Sequence, residues 1–348
     1  MVKRAAAEAG FELAGIAPVR DCPELDYFAE WLVSGYGGEM RYLESRSESG
    51  ELKRRALANV APWARSIIVC VLNYNTAYQK TTDPMADGRQ PTAQGWISRY
   101  AWSREDYHES VMRRLRAVEA RLKQQAPECE TRCYVDTGPL VERVYARYAG
   151  VGWVGKNACI INQRLGSWLF LGVILSSLEL APDLPAPDRC GTCTRCLDAC
   201  PTDAFLGPHQ MDATRCISYL TIEKRGQIPE DLRPGMGRHV FGCDICQDVC
   251  PWNRRAPATA KPEFRPREGL VNPALEWLAA MSEEEFRRTF RGSPVKRARY
   301  SGLRRNVAIA LGNSGDRRLL PALEKLAADG DPMVAEHARW AMTRLVGP

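Results

Sequence analysis

Eight of the chain's thirteen cysteines fall between residues 190 and 250, and their spacing constrains the fold more than any other feature. Cys190, Cys193, Cys196 and Cys200 follow the order Cys-x2-Cys-x2-Cys-x3-Cys, closed by Pro201. This is the bacterial ferredoxin run, in which three thiolates wrap one four-iron four-sulfur cube and the fourth, turned away by a short helix, reaches a second cube. A partial echo, Cys243-x2-Cys246-x3-Cys250 followed by Pro251, comes later in the chain; it lacks a third nearby ligand, and Cys216 upstream is the substitute. By the crossing rule, one cube takes Cys190, Cys193, Cys196 and Cys250, and the other takes Cys200, Cys216, Cys243 and Cys246. Zinc also accepts Cys-x2-Cys pairs, but it rarely needs eight cysteines in such a run, so iron–sulfur is the assignment. The remaining five, Cys22, Cys70, Cys129, Cys133 and Cys159, read as small buried hydrophobes.

Cysteines gathered at ligand spacing, with the rest scattered, point to a reducing cytoplasm. Lys3 and Arg4 give the N-terminus early positive charge, but Glu8 and Glu12 interrupt any apolar stretch, so residues 1–19 read as an amphipathic helix. The longest apolar run, Trp168 to Leu175, is eight residues, against roughly 20 needed to span a bilayer. No membrane segment is expected.

Composition separates three regions, giving an α+β chain: an α/β domain over 1–180, a ferredoxin-like two-cluster domain over 181–255, and an all-α end over 256–348. Ser66 to Leu72 reads as a buried strand, and Thr131 to Val135 and Ser167 to Leu175 as two more. Apolar residues at Val111, Leu115, Val118 and Leu122 give Tyr107 to Gln125 helical spacing. Asp136-Thr-Gly-Pro139 reads as a turn that leaves Asp136 at a strand end. A proline-rich linker at 181–188 delivers the chain to the cysteines. Beyond Trp252, helices are expected at 272–281, at 282–290 with Ser282 and Glu285 as a capping box, and at 301–311. Leu303–Leu311, Leu319–Leu326 and Val334–Met342 resemble HEAT helix pairs, too few to stand as a solenoid.

Net charge is +6, but its distribution matters more. From Arg287 to Arg318 there are ten basic residues and one acid, Asp316. A polyanionic partner is expected there.

Four motifs now carry a family resemblance: Ile97-Ser-Arg-Tyr-Ala-Trp102 with Asp106-Tyr-His108; Val135-Asp-Thr-Gly138; Ala149-Gly-Val-Gly-Trp-Val-Gly-Lys-Asn157; and the two cysteine runs. In this order they resemble the epoxyqueuosine reductases from about Gly35 onward. The resemblance implies a cobalamin-dependent iron–sulfur enzyme that removes the epoxide oxygen of epoxyqueuosine at the wobble position of tRNA. Low-potential electrons would come from an external donor protein and pass through the clusters to cobalt. Asp136 matches the family's proton donor, and burial against the corrin would have to raise its pKa. The corrin-lining positions map onto Arg54, Ser98, Asp136, Asn157, Ile160, Leu171, Ser218 and Asp244. Some members carry Cys where this chain has Ser98, so that Cys is dispensable if this protein is active. Cobalamin proteins often use Asp-x-His-x-x-Gly to ligate cobalt; Asp106-Tyr-His108 lacks the glycine, and the family is expected to use no protein histidine below the metal. His108 then belongs in the first helical turn, with Asp106 near its cap. Gly150, Gly152 and Gly155 suggest close backbone approach to a cofactor but are too sparse for a phosphate loop.

A base held in an anticodon must be splayed out, and the phosphates around it need cations. Lys224, Arg225, Arg297, Arg299, Arg304 and Arg305 are the candidates, with Tyr300 and Trp340 as stacking partners. A monomer is expected. Two rivals remain. A reductive dehalogenase has no use for a basic helical end, and an electron carrier would leave about 180 upstream residues without a task.

Overall fold

The Ser66–Asn73 segment is buried at all eight positions, because it lies at the centre of a sheet covered on both faces. Such a strand needs apolar side chains in unbroken succession, which is why it reads as a run and not an alternation. In this computed structural model, which describes residues 1–78, 80–82, 93–267 and 269–347, its neighbours are Leu13–Pro18 and Leu169–Ser176, with Thr131–Tyr134 beyond the latter. All three pairings are antiparallel. The N-terminal part is therefore α+β, and the α/β expectation gives way.

Helix Tyr107–Gln125 covers one face through Val111, Leu115, Val118 and Leu122, all fully buried. Helix Glu142–Tyr148 covers the other through Val144, Tyr145, Ala146 and Tyr148. The long helix comes close because strand residue 172 is glycine: a Cβ there would sit 2.8 Å from Val111 Cγ1. The N-terminal helix expected to reach residue 19 stops at Glu8, and Leu13–Pro18 pairs with the central strand instead. Glu12, taken as a helix charge, accepts from the Asn73 N–H (3.0 Å).

The second core crosses the expected boundaries. Trp96–Ile97 pairs in parallel with His239–Phe241, and Ile97, Trp102 and Phe241 pack with the C-terminal helices Leu275–Ala280, Glu283–Thr289, Arg299–Gly312, Leu320–Ala327 and Pro332–Val346. In return, Phe264 enters the core beneath the sheet. Composition changes near 180 and 255, while packing runs across both places. Ser282 caps its helix, its Oγ accepting from the Glu285 N–H (3.1 Å), but the Glu285 carboxylate turns to Trp277 Nε1 (3.2 Å), so the capping box is half made. Among the described residues no helix is long and apolar enough to cross a membrane.

Candidate active site and cluster ligands

The cysteines assemble as two foursomes. Burial pushes the Cys196 thiol up to about 11, with Cys250, Cys190 and Cys193 as its nearest charged neighbours. Cys250 and Cys190 share one small apolar cluster with Trp153 and Trp252. Burial also raises Cys243, which feels Cys216 and Cys200, while Cys246 feels Cys243 and Cys216. Residues remote in sequence are thus drawn together in the crossed pattern. Among the described residues no three His, Cys, Asp or Glu side chains converge on a single-ion site. Cys22, Cys70, Cys129 and Cys133 are buried as small hydrophobes. Cys159 differs, because it lies against Cys246.

Asp136 follows strand Thr131–Tyr134 with φ of 56°, the left-handed region that Asp tolerates better than most residues. Its side chain keeps 62% accessibility although protein closes around it on most sides. The Tyr107 hydroxyl donates to its Oδ2 (2.9 Å), and His108 Nε2 stands 3.6 Å away. His108 Nδ1 meets Asp106 Oδ1 at 2.7 Å, and Asp106 also caps the helix by accepting from the His108 N–H (3.1 Å). Burial alone would lower the His108 pKa, but pairing with Asp106 and Asp136 outweighs it and raises the value to about 9. His108 in turn, with help from Tyr107 and against burial, holds Asp136 below the usual carboxylate range. The expected upward shift of Asp136 is absent here, because a proton-holding imidazole faces it.

Sequence reasoning missed Glu142. Burial, reinforced by the Asp136 charge, raises this carboxyl to about 8, and its Oε1 finds no hydrogen-bond partner among the described residues. Position 142 opens a helix three residues after a proline, which reads as an ordinary first-turn acid. Tyr100, deeply surrounded yet partly accessible, feels both Asp136 and Asp244. Cys159 is enclosed in the same manner. Glu142 and Tyr100 thus lie close to Asp136, Tyr100 also lies close to Asp244, and Cys159 joins the second foursome through Cys246.

Of the expected corrin contacts, five are buried: Arg54, Ser98, Asn157, Ile160 and Asp244. Arg54 is buried and donates to the carbonyls of Tyr42 (2.7 Å) and Gly138 (2.9 Å), clamping the Asp136 turn. Asp244 is 1% exposed, its carboxylate taken by the Ser98 hydroxyl, the Thr81 hydroxyl (2.8 Å) and the Arg99 N–H (2.7 Å). Asn157 Nδ2 reaches the Cys246 carbonyl (3.3 Å) and its Oδ1 accepts from the Cys159 N–H (3.3 Å), tying the two segments together. Ile160 is buried, and Leu171 and Ser218 are partly exposed. The glycines expected to approach a cofactor approach the chain itself: a Cβ on Gly150 would lie 2.5 Å from the Leu184 carbonyl, and one on Gly152 2.6 Å from that of Ile161.

The basic candidates divide. Lys224 pairs with Glu39 (2.6 Å) and Arg297 with Glu223 (2.5 Å), so acids from elsewhere supply the compensation the local sequence lacks. Arg297 also lies over the ring of Tyr42, which is 46% exposed, and both feel Asp136. Arg225 feels Arg299 and Arg297, so these cations gather beside Tyr42. Arg304 turns away to Asp329. Tyr300 and Trp340 are used internally, the former donating to the Met281 carbonyl (2.8 Å), the latter between Arg233 and Arg344. Arg305 is fully buried, donating to the carbonyls of Leu220 (2.7 Å), Lys224 (2.9 Å) and Gly226 (2.7 Å), and is corrected from RNA ligand to structural clamp. Replacing it by alanine orphans three carbonyls, so Arg305→Ala is expected to cost about 3 kcal/mol or more, read as a drop in thermal midpoint.

Residues 189–253 match the family described as 4Fe-4S double cluster binding domain, and residues 54–137 that described as Epoxyqueuosine reductase QueG, DUF1730. The chain is 39% identical over 345 residues to an epoxyqueuosine reductase of Xanthomonas campestris, covering 99% of this chain and 95% of that protein. It superimposes with a TM-score of 0.87 and 31% identity on an epoxyqueuosine reductase crystallised with an epoxyqueuosine-modified tRNA-Tyr stem loop, over 99% of this chain and 89% of that one. A Bacillus subtilis epoxyqueuosine reductase, solved with its catalytic aspartate loop swung out of the active site, is as similar (TM-score 0.87, 30% identity, 99% and 89% covered).

Proposed function

The chain belongs to the epoxyqueuosine reductase family and is an oxidoreductase, and from that premise we propose that it reduces epoxyqueuosine to queuosine in tRNA with Asp136 as proton donor, two four-iron four-sulfur clusters and cobalamin. The observation that carries this reading is the Asp136 carboxyl, accessible at a left-handed turn and facing a proton-bearing histidine. The catalytic aspartate loop described for the Bacillus subtilis relative supports it.

Converting the epoxide to an alkene consumes two electrons and two protons and releases water. Cobalamin, when bound, supplies a low-potential metal centre for the electrons. Asn157, Ile160, Leu171 and Ser218 would hold the corrin, with Tyr100 and Cys159 beside them. The protons are the task of the chain's own residues. Asp136 is accessible and carries its charge beside a His108 that holds its proton. Loss of water around Asp136 when substrate binds would favour the neutral pair, so the His108 proton would pass to Asp136 Oδ2 and from there to the epoxide oxygen. Glu142, neutral below about pH 8, holds a second proton nearby. Asp106 keeps the imidazole oriented, and Lys296 Nζ, 3.6 Å from Asp106 Oδ2, faces the solvent end of this chain of groups.

Lys224, Arg225, Arg297 and Arg299 would steady the anticodon phosphates, Tyr42 offering a face to a splayed base. The last three helices act as a short HEAT-like support. The protein works as a cytoplasmic monomer fed by an external electron donor. The test is anaerobic reconstitution with iron, sulfide and cobalamin, followed by assay on tRNA bearing epoxyqueuosine; absence of queuosine with both cofactors loaded would overturn the reading.

His108 gives a pH prediction. Its pKa is higher folded than the ordinary 6.5 of the unfolded chain, so its stabilisation is complete below about pH 6.5 and is lost as pH rises through about 9. Turnover should fall over the same upper range. His108→Gln should lower turnover and flatten both profiles above pH 7; unchanged profiles would show that the imidazole proton is not used.

A further inference from the structure

The two foursomes differ in depth. Protein packs densely around Cys216, Cys243 and Cys246, whereas Cys190, Cys193 and Cys196 sit in a loop whose intervening residues, Gly191, Thr192, Thr194 and Arg195, are all exposed; of that outer set Cys250 is buried. Electrons tunnel over short distances only, so they enter by the outer set. The surface around that set is cationic. Arg189 and Arg195 adjoin Cys190 and Cys196, and Arg254 and Arg255 follow Cys250 by one helical turn. Arg164 projects from a loop whose Gly166 packs on Asn253 and Ala256. All five arginines are exposed, and none makes an ion pair among the described residues. Two acids lie within this surface, Asp188, whose Oδ1 accepts from the Cys190 N–H (2.7 Å), and Asp198, whose Oδ2 accepts from the Thr194 hydroxyl (2.8 Å), and the five arginines outnumber them. Lys156 Nζ, bonded to the carbonyls of Gly191 (2.7 Å) and Cys193 (3.0 Å), stiffens the loop.

This differs from the rim beside Asp136, where Lys224 and Arg297 are paired with acids. Unpaired cations around an electron-entry point raise the rate of encounter with an anionic partner and orient it. We infer that the face formed by Arg164, Arg189, Arg195, Arg254 and Arg255 docks the electron donor, a small acidic one-electron carrier protein, against the cluster on Cys190, Cys193, Cys196 and Cys250. This deepens the reductase reading and rests on it. Two reduced carriers each lose one electron per epoxide; the two electrons and two protons go to the epoxide, which leaves alkene and water.

The experiment uses the reconstituted holoenzyme and the double variants R189E/R195E and R254E/R255E, with a purified acidic ferredoxin as the probe. Three quantities are measured: the Kd for the ferredoxin at low and high salt, the rate of cluster bleaching on mixing with reduced ferredoxin, and turnover with dithionite, which needs no docking. Each double variant is expected to weaken the Kd by about tenfold at low salt and less at high salt. Cluster bleaching should slow in proportion, with dithionite-driven turnover and tRNA affinity unchanged. An unaltered Kd and bleaching rate overturn the proposal, as does a loss of tRNA affinity in these variants, which would give the face to RNA. Absence of dithionite turnover in the parent protein would count against the reductase reading alone, and the Kd would still decide the docking surface.

Discussion

Asp136→Asn is expected to keep both clusters and the corrin while losing turnover by a factor of about 10²–10⁴, the usual contribution of a positioned proton donor. The amide fills the same volume on the same left-handed turn and still accepts from Tyr107, so the site keeps its shape. What it loses is the ability to take a proton from His108 and pass it on. An opened epoxide leaves an alkoxide, and without a proton at that oxygen the barrier rises. Metal content and visible spectra establish that the variant is loaded, and single-turnover assay on modified tRNA gives the rate. Full activity would remove Asp136 from the mechanism, and loss of cobalamin would assign it to cofactor binding.

The larger effect is expected from the cysteines. Cys250→Ser and Cys190→Ser should strip the same cluster, while Cys200→Ser and Cys216→Ser strip the other, each leaving about four irons per chain in place of about eight. Every one of these variants should be inactive, since either loss interrupts the path. The informative comparison is between Cys196 and Cys200. They are neighbours in sequence, but in the crossed arrangement they serve different cubes, so their variants should show different residual spectra. Identical spectra would mean that the ligands are not crossed.

The double-cluster domain was legible because ligand spacing is a local property of the sequence, and residues 189–253 match that family. So were the strand at Ser66–Asn73 and the helix at Tyr107–Gln125, whose patterns are long and match their burial. The N-terminal helix was overread, because Leu13–Pro18 is short and its strand partner lies over fifty residues away. The partners of Asp136 were not legible as partners. Tyr107 and His108 look like ordinary first-turn residues, and only the packing of their helix on the sheet sets them beside the turn. Arg305 misled for a related reason. A charge run is exposed on average, but one arginine in it points inward, where the carbonyls of the loop after Cys216 need donors. The ion pairs of the basic rim each join residues remote in sequence, Lys224 to Glu39 and Arg297 to Glu223.

The parallel pairing of Trp96–Ile97 with His239–Phe241 has a bearing on how this molecule can evolve. It staples an early stretch of chain to the segment just before Cys243, and the same staple places Ser98 against Asp244. The sheet-bearing part and the cysteine-bearing part are therefore not modules that recombination could exchange between relatives at the proline linker. A chimera joined there would inherit mismatched halves of one seam, and compatible crossovers must carry both sides of it together.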